Sequence, residues 1–134
     1  MSSQPKFLYV EDDPFSREIM QMLLNGLGYT DLTMFEDSTD FQRRIEGLSF
    51  TPDIVFLDVQ VLPHDGFDML RMLRKCPTIG GKTVIALTAS VMNEEIARLK
   101  QEGFDGAIAK PLDFDNFASL IQQALQGEKV WYVS

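Results

Sequence analysis

The sequence predicts an α/β fold in which the strands of one parallel sheet alternate with helices. Two observations predict it. Short apolar runs take turns with segments whose apolar residues recur at helical spacing, and no linker, repeat or low-complexity tract interrupts them. The apolar runs also stop abruptly at polar or charged residues. A chain of 134 residues suits one domain and is long enough to hide roughly two-thirds of its unfolded surface.

The first strand is Phe7-Leu8-Tyr9-Val10, ended by the acids Glu11, Asp12 and Asp13. Asp13 before Pro14 reads as an N-cap with proline at the first helical position. Phe15, Ile19 and Leu23 supply that helix with an apolar stripe, and Gly26 and Gly28 end it. A weaker strand covers Leu32 to Phe35. Asp37 or Ser38 is placed to cap a second helix whose inner face carries Phe41, Ile45 and Leu48. The strongest strand, Ile54-Val55-Phe56-Leu57, is apolar without a break, which suits burial on both faces, and it ends at Asp58.

Phe67, Leu70 and Leu73 mark a third helix that stops before Pro77, with Arg74 and Lys75 at its negative end. Thr83 to Leu87 form a fourth strand that reaches Thr88. Ile96 and Leu99 define a fourth helix closed by Gly103. A brief fifth strand, Ala107-Ile108-Ala109, runs into Lys110 and Pro111. Asp113 caps a last helix striped by Phe117, Leu120, Ile121 and Ala124. The expectation is five strands and five helices. Trp131 and Tyr132 lie beyond them, either folded back on the domain or forming a contact surface.

Bulk properties narrow the function. Twenty acidic and 12 basic residues leave a formal charge of −8, a field that repels a phosphate backbone and argues against direct nucleic-acid binding. Cys76 is the one cysteine, so no internal disulfide forms, and its place late in an apolar helix reads as packing. The polar Met1–Lys6 lead and the short apolar run after it fit neither a signal peptide nor a membrane span, so the expected location is cytoplasmic, without a membrane partner. Met20, Met22, Met69 and Met72 read as helix packing, and the single histidine, His64, as an exposed loop residue.

In a parallel sheet the strand C-termini share one rim, where ligand crevices of open α/β folds lie. The strand-stoppers Glu11, Asp12, Asp58, Thr88 and Lys110 are therefore candidates for one site. Two carboxylates about 5 Å apart repel by roughly 3 kcal/mol at an effective dielectric near 20, so protonation or a cation must relieve the cluster. Magnesium suits such a set, because it takes oxygen ligands and keeps several waters. Lys110 is a mobile charge for phosphate oxygens and Thr88 a hydroxyl donor, which leaves Asp58 as a carboxylate nucleophile forming an aspartyl phosphate.

These pieces closely resemble the receiver domains of response regulators in two-component signalling. The resemblance rests on Phe-Leu-Tyr-Val-Glu-Asp-Asp at 7–13, Pro-Asp-Ile-Val-Phe-Leu-Asp at 52–58 and Asp65-Gly66. Val-Ile-Ala-Leu-Thr-Ala at 84–89 and Gly-Ala-Ile-Ala-Lys-Pro at 106–111 complete it. It implies a flavodoxin-like, doubly wound five-stranded sheet of order 2-1-3-4-5, a core over about 6–126, and a C-terminal extension at 127–134 in a single domain of residues 1–134. It further implies that Asp58 accepts phosphate and that Asp12, Asp58 and the Gln60 backbone carbonyl hold Mg2+ or Mn2+. Glu11 would act on the metal mainly through water, and Thr88 and Lys110 would contact the phosphoryl group. A cis Lys110-Pro111 peptide and a Gly66 that accommodates the turn into the third helix belong to the same expectation.

The implied partners are a histidine kinase or histidine phosphotransfer protein as donor and an unspecified downstream protein, with a homodimer allowed. The fourth helix, fifth strand and fifth helix would form the output face. Autodephosphorylation would be slow, and no enzymatic turnover is expected. Two departures stand out. The proline common four residues after the acceptor is Leu62 here, with Pro63 following, which implies a different loop path around Gln60. The aromatic residue common three before the lysine is Ala107, which leaves room for a degenerate receiver that binds a partner without phosphorylation. A nucleotide- or flavin-binding domain would need a glycine-rich loop where Glu11–Asp13 stand, and a haloacid-dehalogenase-like phosphatase would need a second aspartate where Gln60 stands.

Overall fold

The computed structural model describes residues 4–133, so Met1–Ser3 and Ser134, the outer ends of the polar lead and of the C-terminal extension, lie outside the described residues. The elements run β1 (Phe7–Val10), α1 (Pro14–Gly26), β2 (Leu32–Phe35), α2 (Phe41–Glu46), β3 (Ile54–Asp58), α3 (Gly66–Lys75), β4 (Thr83–Thr88), α4 (Asn93–Glu102), β5 (Gly106–Ala109), α5 (Phe114–Leu125) and β6 (Val130–Tyr132). All strand pairs are parallel, in the order β2-β1-β3-β4-β5-β6.

Alternation along the strands builds two cores. Leu8, Val10, Val55, Leu57, Val84, Ala86 and Ala107 face the layer of α2, α3 and α4. Phe7, Tyr9, Ile54, Phe56, Ile85, Leu87 and Ile108 face α1 and α5. The central strand β3 is buried along its whole length, as its unbroken apolar run requires.

The expected count of five strands is corrected to six. After α5, Gly127 turns the chain at φ +85°, and the β-branched and aromatic run Val130-Trp131-Tyr132 pairs with Gly106-Ala107-Ile108. The close approach needs a glycine at 106, because a Cβ there would collide with the Val130 carbonyl oxygen. Side chains fasten both ends of β6. Asp105 accepts from Lys129 Nζ at 2.8 Å and from Arg74 at 2.9 Å, while the Tyr132 hydroxyl donates to Asp113 at 2.9 Å. β6 thus covers the edge of β5, one of the elements of the expected output face.

Three local expectations also change. Phe15 is 68% exposed; the buried stripe of α1 is Met20, Leu23 and Leu24. Met22 is exposed rather than packed. Neither Asp37 nor Ser38 caps α2: its N-cap is Asp40, left-handed at φ 51°, with no side-chain cap bond. Asp13 and Asp113 do cap α1 and α5, and Cys76 is buried and free.

Candidate functional site

Every strand-stopper singled out in the sequence reaches the same rim. Glu11 and Asp12 follow β1, Asp58 ends β3 between β1 and β4, Thr88 ends β4, and Lys110 follows β5. Glu11, Asp12 and Asp58 each offer a carboxylate oxygen, all within 4.8 Å of one another. Glu11 and Asp58 are buried and Asp12 is exposed, so the acidic cluster opens to solvent on one side. Asp13, the third acid of the run, belongs to the helix instead: its Oδ2 accepts the Ser16 N–H at 3.0 Å and the Ser16 hydroxyl at 2.7 Å.

Lys110 bridges the cluster. Its Nζ donates to Glu11 Oε1 at 2.6 Å and to Asp58 Oδ2 at 3.2 Å. Burial alone would lower the pKa of this ammonium, but the hydrogen bond to Glu11 and the charges of Asp58 and Glu11 outweigh it and hold Lys110 above its ordinary value. The lysine thus neutralises part of a repulsion that would otherwise oppose folding. Its backbone is fixed as well, because its N–H donates to the Thr88 carbonyl at 2.8 Å. The Lys110-Pro111 peptide is cis, as expected.

Thr88 is buried, and its hydroxyl is engaged with the β4–α4 loop. It donates to the Ser90 carbonyl at 3.1 Å and accepts the Ser90 N–H at 3.0 Å. The Gln60 N–H donates to Asp58 Oδ1 at 3.2 Å, which brings the Gln60 peptide beside the Asp58 carboxylate. The loop that follows is pinned by Ser38, whose hydroxyl donates to the His64 carbonyl and accepts the His64 N–H, both at 2.7 Å. The Leu62-Pro63 peptide within it is cis. His64 is half-buried rather than exposed. Gly66 supplies space rather than an unusual turn: a Cβ there would lie 2.9 Å from Val59 Cα.

The sequence reading missed two participants. The Tyr9 hydroxyl donates to Glu11 Oε1 at 2.7 Å from within the α1/α5 core. Burial, together with the bond to Glu11 and its charge, keeps this phenol protonated far above the ordinary range. Strand alternation puts residues 9 and 11 on one face, a signal available in the sequence. Arg17 donates to the Glu11 carbonyl at 2.8 Å, and no motif marks it.

An all-oxygen, carboxylate-rich set suits a hard divalent cation of the magnesium type. A profile of the response regulator receiver domain family matches residues 7–122. The chain belongs to that family. Among curated relatives, this receiver domain is 28% identical over 129 residues to "Stress response regulator protein 1" of Lodderomyces elongisporus, covering 94% of this chain and 35% of that protein. It is 27% identical over 121 residues to an uncharacterized 14.6 kDa protein of Leptolyngbya boryana, covering 90% of each. The chain thus spans about a third of the first relative and most of the second.

Solved structures agree in fold. The receiver domain of sensor histidine kinase PA1611 from Pseudomonas aeruginosa, with magnesium coordinated in its active-site cleft, superposes at TM-score 0.80 with 24% identity, covering 92% of this chain and 99% of that one. The receiver domain of a signal transduction histidine kinase from Syntrophus aciditrophicus gives 0.78 with 27% identity, covering 92% and 91%. No helix among the described residues is long and apolar enough to cross a membrane.

Proposed function

We propose that this receiver domain takes a phosphoryl group onto Asp58 in a magnesium-dependent transfer from a histidine kinase or histidine phosphotransfer protein. The observation that carries the reading is Lys110 bridging Glu11 and Asp58 beside a solvent-open acidic cluster. Asp12, Asp58 and the Gln60 carbonyl are the proposed metal ligands, with Glu11 acting through water. Mg2+ or Mn2+ held by these residues would supply positive charge to the transferring phosphoryl oxygens. One Asp58 oxygen bonds to phosphorus as the donor's P–N bond breaks and the imidazole nitrogen keeps its electron pair. Lys110 turns from the carboxylates toward the new oxygens, and Thr88 exchanges its Ser90 contacts for one of them. The protein is a phosphoacceptor with slow self-hydrolysis, not a turnover enzyme.

The rim suits a protein donor. Phe15, Leu62, Val91, Met92 and Phe114 are exposed large apolar side chains, all on segments that follow strand C-termini. Tyr9, Phe15, Ile19, Lys110 and Leu112 line a hollow of about 310 Å³ beside the site. A cytoplasmic location belongs to the same proposal. A second reading, a phosphorylation-independent interaction module, draws on Ala107, fully buried beneath the α4 layer with no ring to move.

Intact-mass spectrometry after incubation with acetyl phosphate and magnesium separates the two. One added phosphoryl group that needs both Mg2+ and Asp58, and is absent in Asp58→Asn, supports the acceptor. No addition from acetyl phosphate or a phosphorylated kinase, in a folded protein that still holds a partner, supports the module.

A further inference from the structure

Tyr9 and Lys110 hold the same oxygen. Glu11 Oε1 accepts the Tyr9 hydroxyl at 2.7 Å and the Lys110 ammonium at 2.6 Å, and Glu11 is only 1% exposed. Bulk water therefore has little access to replace either donor, and a buried carboxylate oxygen stripped of its donors is costly. On the proposed function, on which this inference rests, Lys110 leaves Glu11 for the phosphoryl oxygens. Tyr9 cannot follow. Its ring is buried and set edge-on against Phe56 at 6.3 Å.

The hydroxyl also calls for an explanation of its own. On the same sheet face the neighbouring aromatic residues, Phe7 and Phe56, carry no polar atom, and the core there needs none. Placing a phenol in that layer is offset only where its oxygen finds a partner, and here the partner is Glu11. We infer that Tyr9 is a positioning residue whose hydroxyl keeps the Glu11 carboxylate satisfied and in place while Lys110 moves to the phosphoryl group. Tyr9 touches neither phosphate nor metal; it acts through Glu11.

The test is Tyr9→Phe, which removes one oxygen and keeps the ring. Phosphorylation by acetyl phosphate is followed by intact mass across a magnesium titration. Before transfer Lys110 still covers Glu11, so the magnesium midpoint should stay within about twofold of the wild type and the melting temperature should fall by no more than the few degrees that one lost hydrogen bond costs. The plateau rate at saturating magnesium should fall about tenfold, the equivalent of roughly 1.4 kcal/mol in the barrier. A general loosening of the site would instead move the midpoint and lower the melting temperature further.

A second measurement needs no variant. In a crystal of the wild-type protein with Mg2+ and beryllium fluoride, the Tyr9–Glu11 bond should persist while Lys110 Nζ leaves Glu11. Wild-type protein that accepts phosphate, paired with a Tyr9→Phe plateau equal to its own, overturns the role of Tyr9 alone. So does a complex in which Lys110 stays on Glu11. Wild-type protein that accepts no phosphate overturns the proposed function and this role together.

Discussion

At the scale of residues, the site is a balance between packed carboxylates and a single ammonium. Removing Lys110 leaves the buried Glu11 and Asp58 without their shared counter-charge, so Lys110→Ala should cost about 2 kcal/mol of stability in urea unfolding without magnesium. The same change removes a cation that competes for the cluster, so magnesium should bind more tightly, as calorimetry would read. Weaker binding would show that Lys110 organises the cluster rather than competing for it. The pH dependence has a definite sign. Lys110 is held above its ordinary value, so its stabilising contribution is complete below about 10.5 and fades as pH rises through the folded value. The five rim residues were legible in the sequence because each stops a strand. For Tyr9 and Glu11 only the shared face was legible; their bond was not, because it depends on how far a phenol reaches within the core.

At the scale of elements, β6 is the main departure from expectation. A three-residue strand at a sheet edge differs little in sequence from a tail, although Gly127 followed by Val130-Trp131-Tyr132 carries a turn and a strand signal. Gly106→Val should expel β6 and destabilise the protein by about 2–3 kcal/mol. Trp131, the one tryptophan, should then shift to redder emission; unchanged emission would mean that β6 tolerates the side chain. Asp105, which ties β6 to Arg74, titrates low. Burial by itself would raise it, but hydrogen bonds from Lys129, the Val84 N–H and Arg74 outweigh that effect. Its contribution is complete above the unfolded value near 3.8 and is lost as pH falls through the folded one. Asp105→Asn should accordingly lose stability at neutral pH and show a shallower decline on acidification below about pH 4. Helix caps show the same limit of sequence reading: Asp13 and Asp113 were legible beside their helices, whereas Ser38 was drawn into the His64 loop.

At the scale of the whole molecule, alternation of strands and helices was enough to place all the strand ends on one rim, and only the sixth strand altered the predicted sheet. What alternation cannot reveal is which charges end up sharing an oxygen. On the proposed function, metal binding at the acidic site is linked to folding: saturating magnesium at 100 times its dissociation constant should add about 2.7 kcal/mol of stability. For a chain of this size that is about 10 °C in melting temperature, to be read by calorimetry and abolished in Asp12→Ala. The central claim is that phosphate arrives on Asp58. Its most direct test is borohydride reduction of the protein after treatment with acetyl phosphate and magnesium, which converts an aspartyl phosphate to homoserine, followed by peptide sequencing. Homoserine at position 58, dependent on magnesium, is the predicted result. Homoserine elsewhere, or none in folded protein, would contradict it.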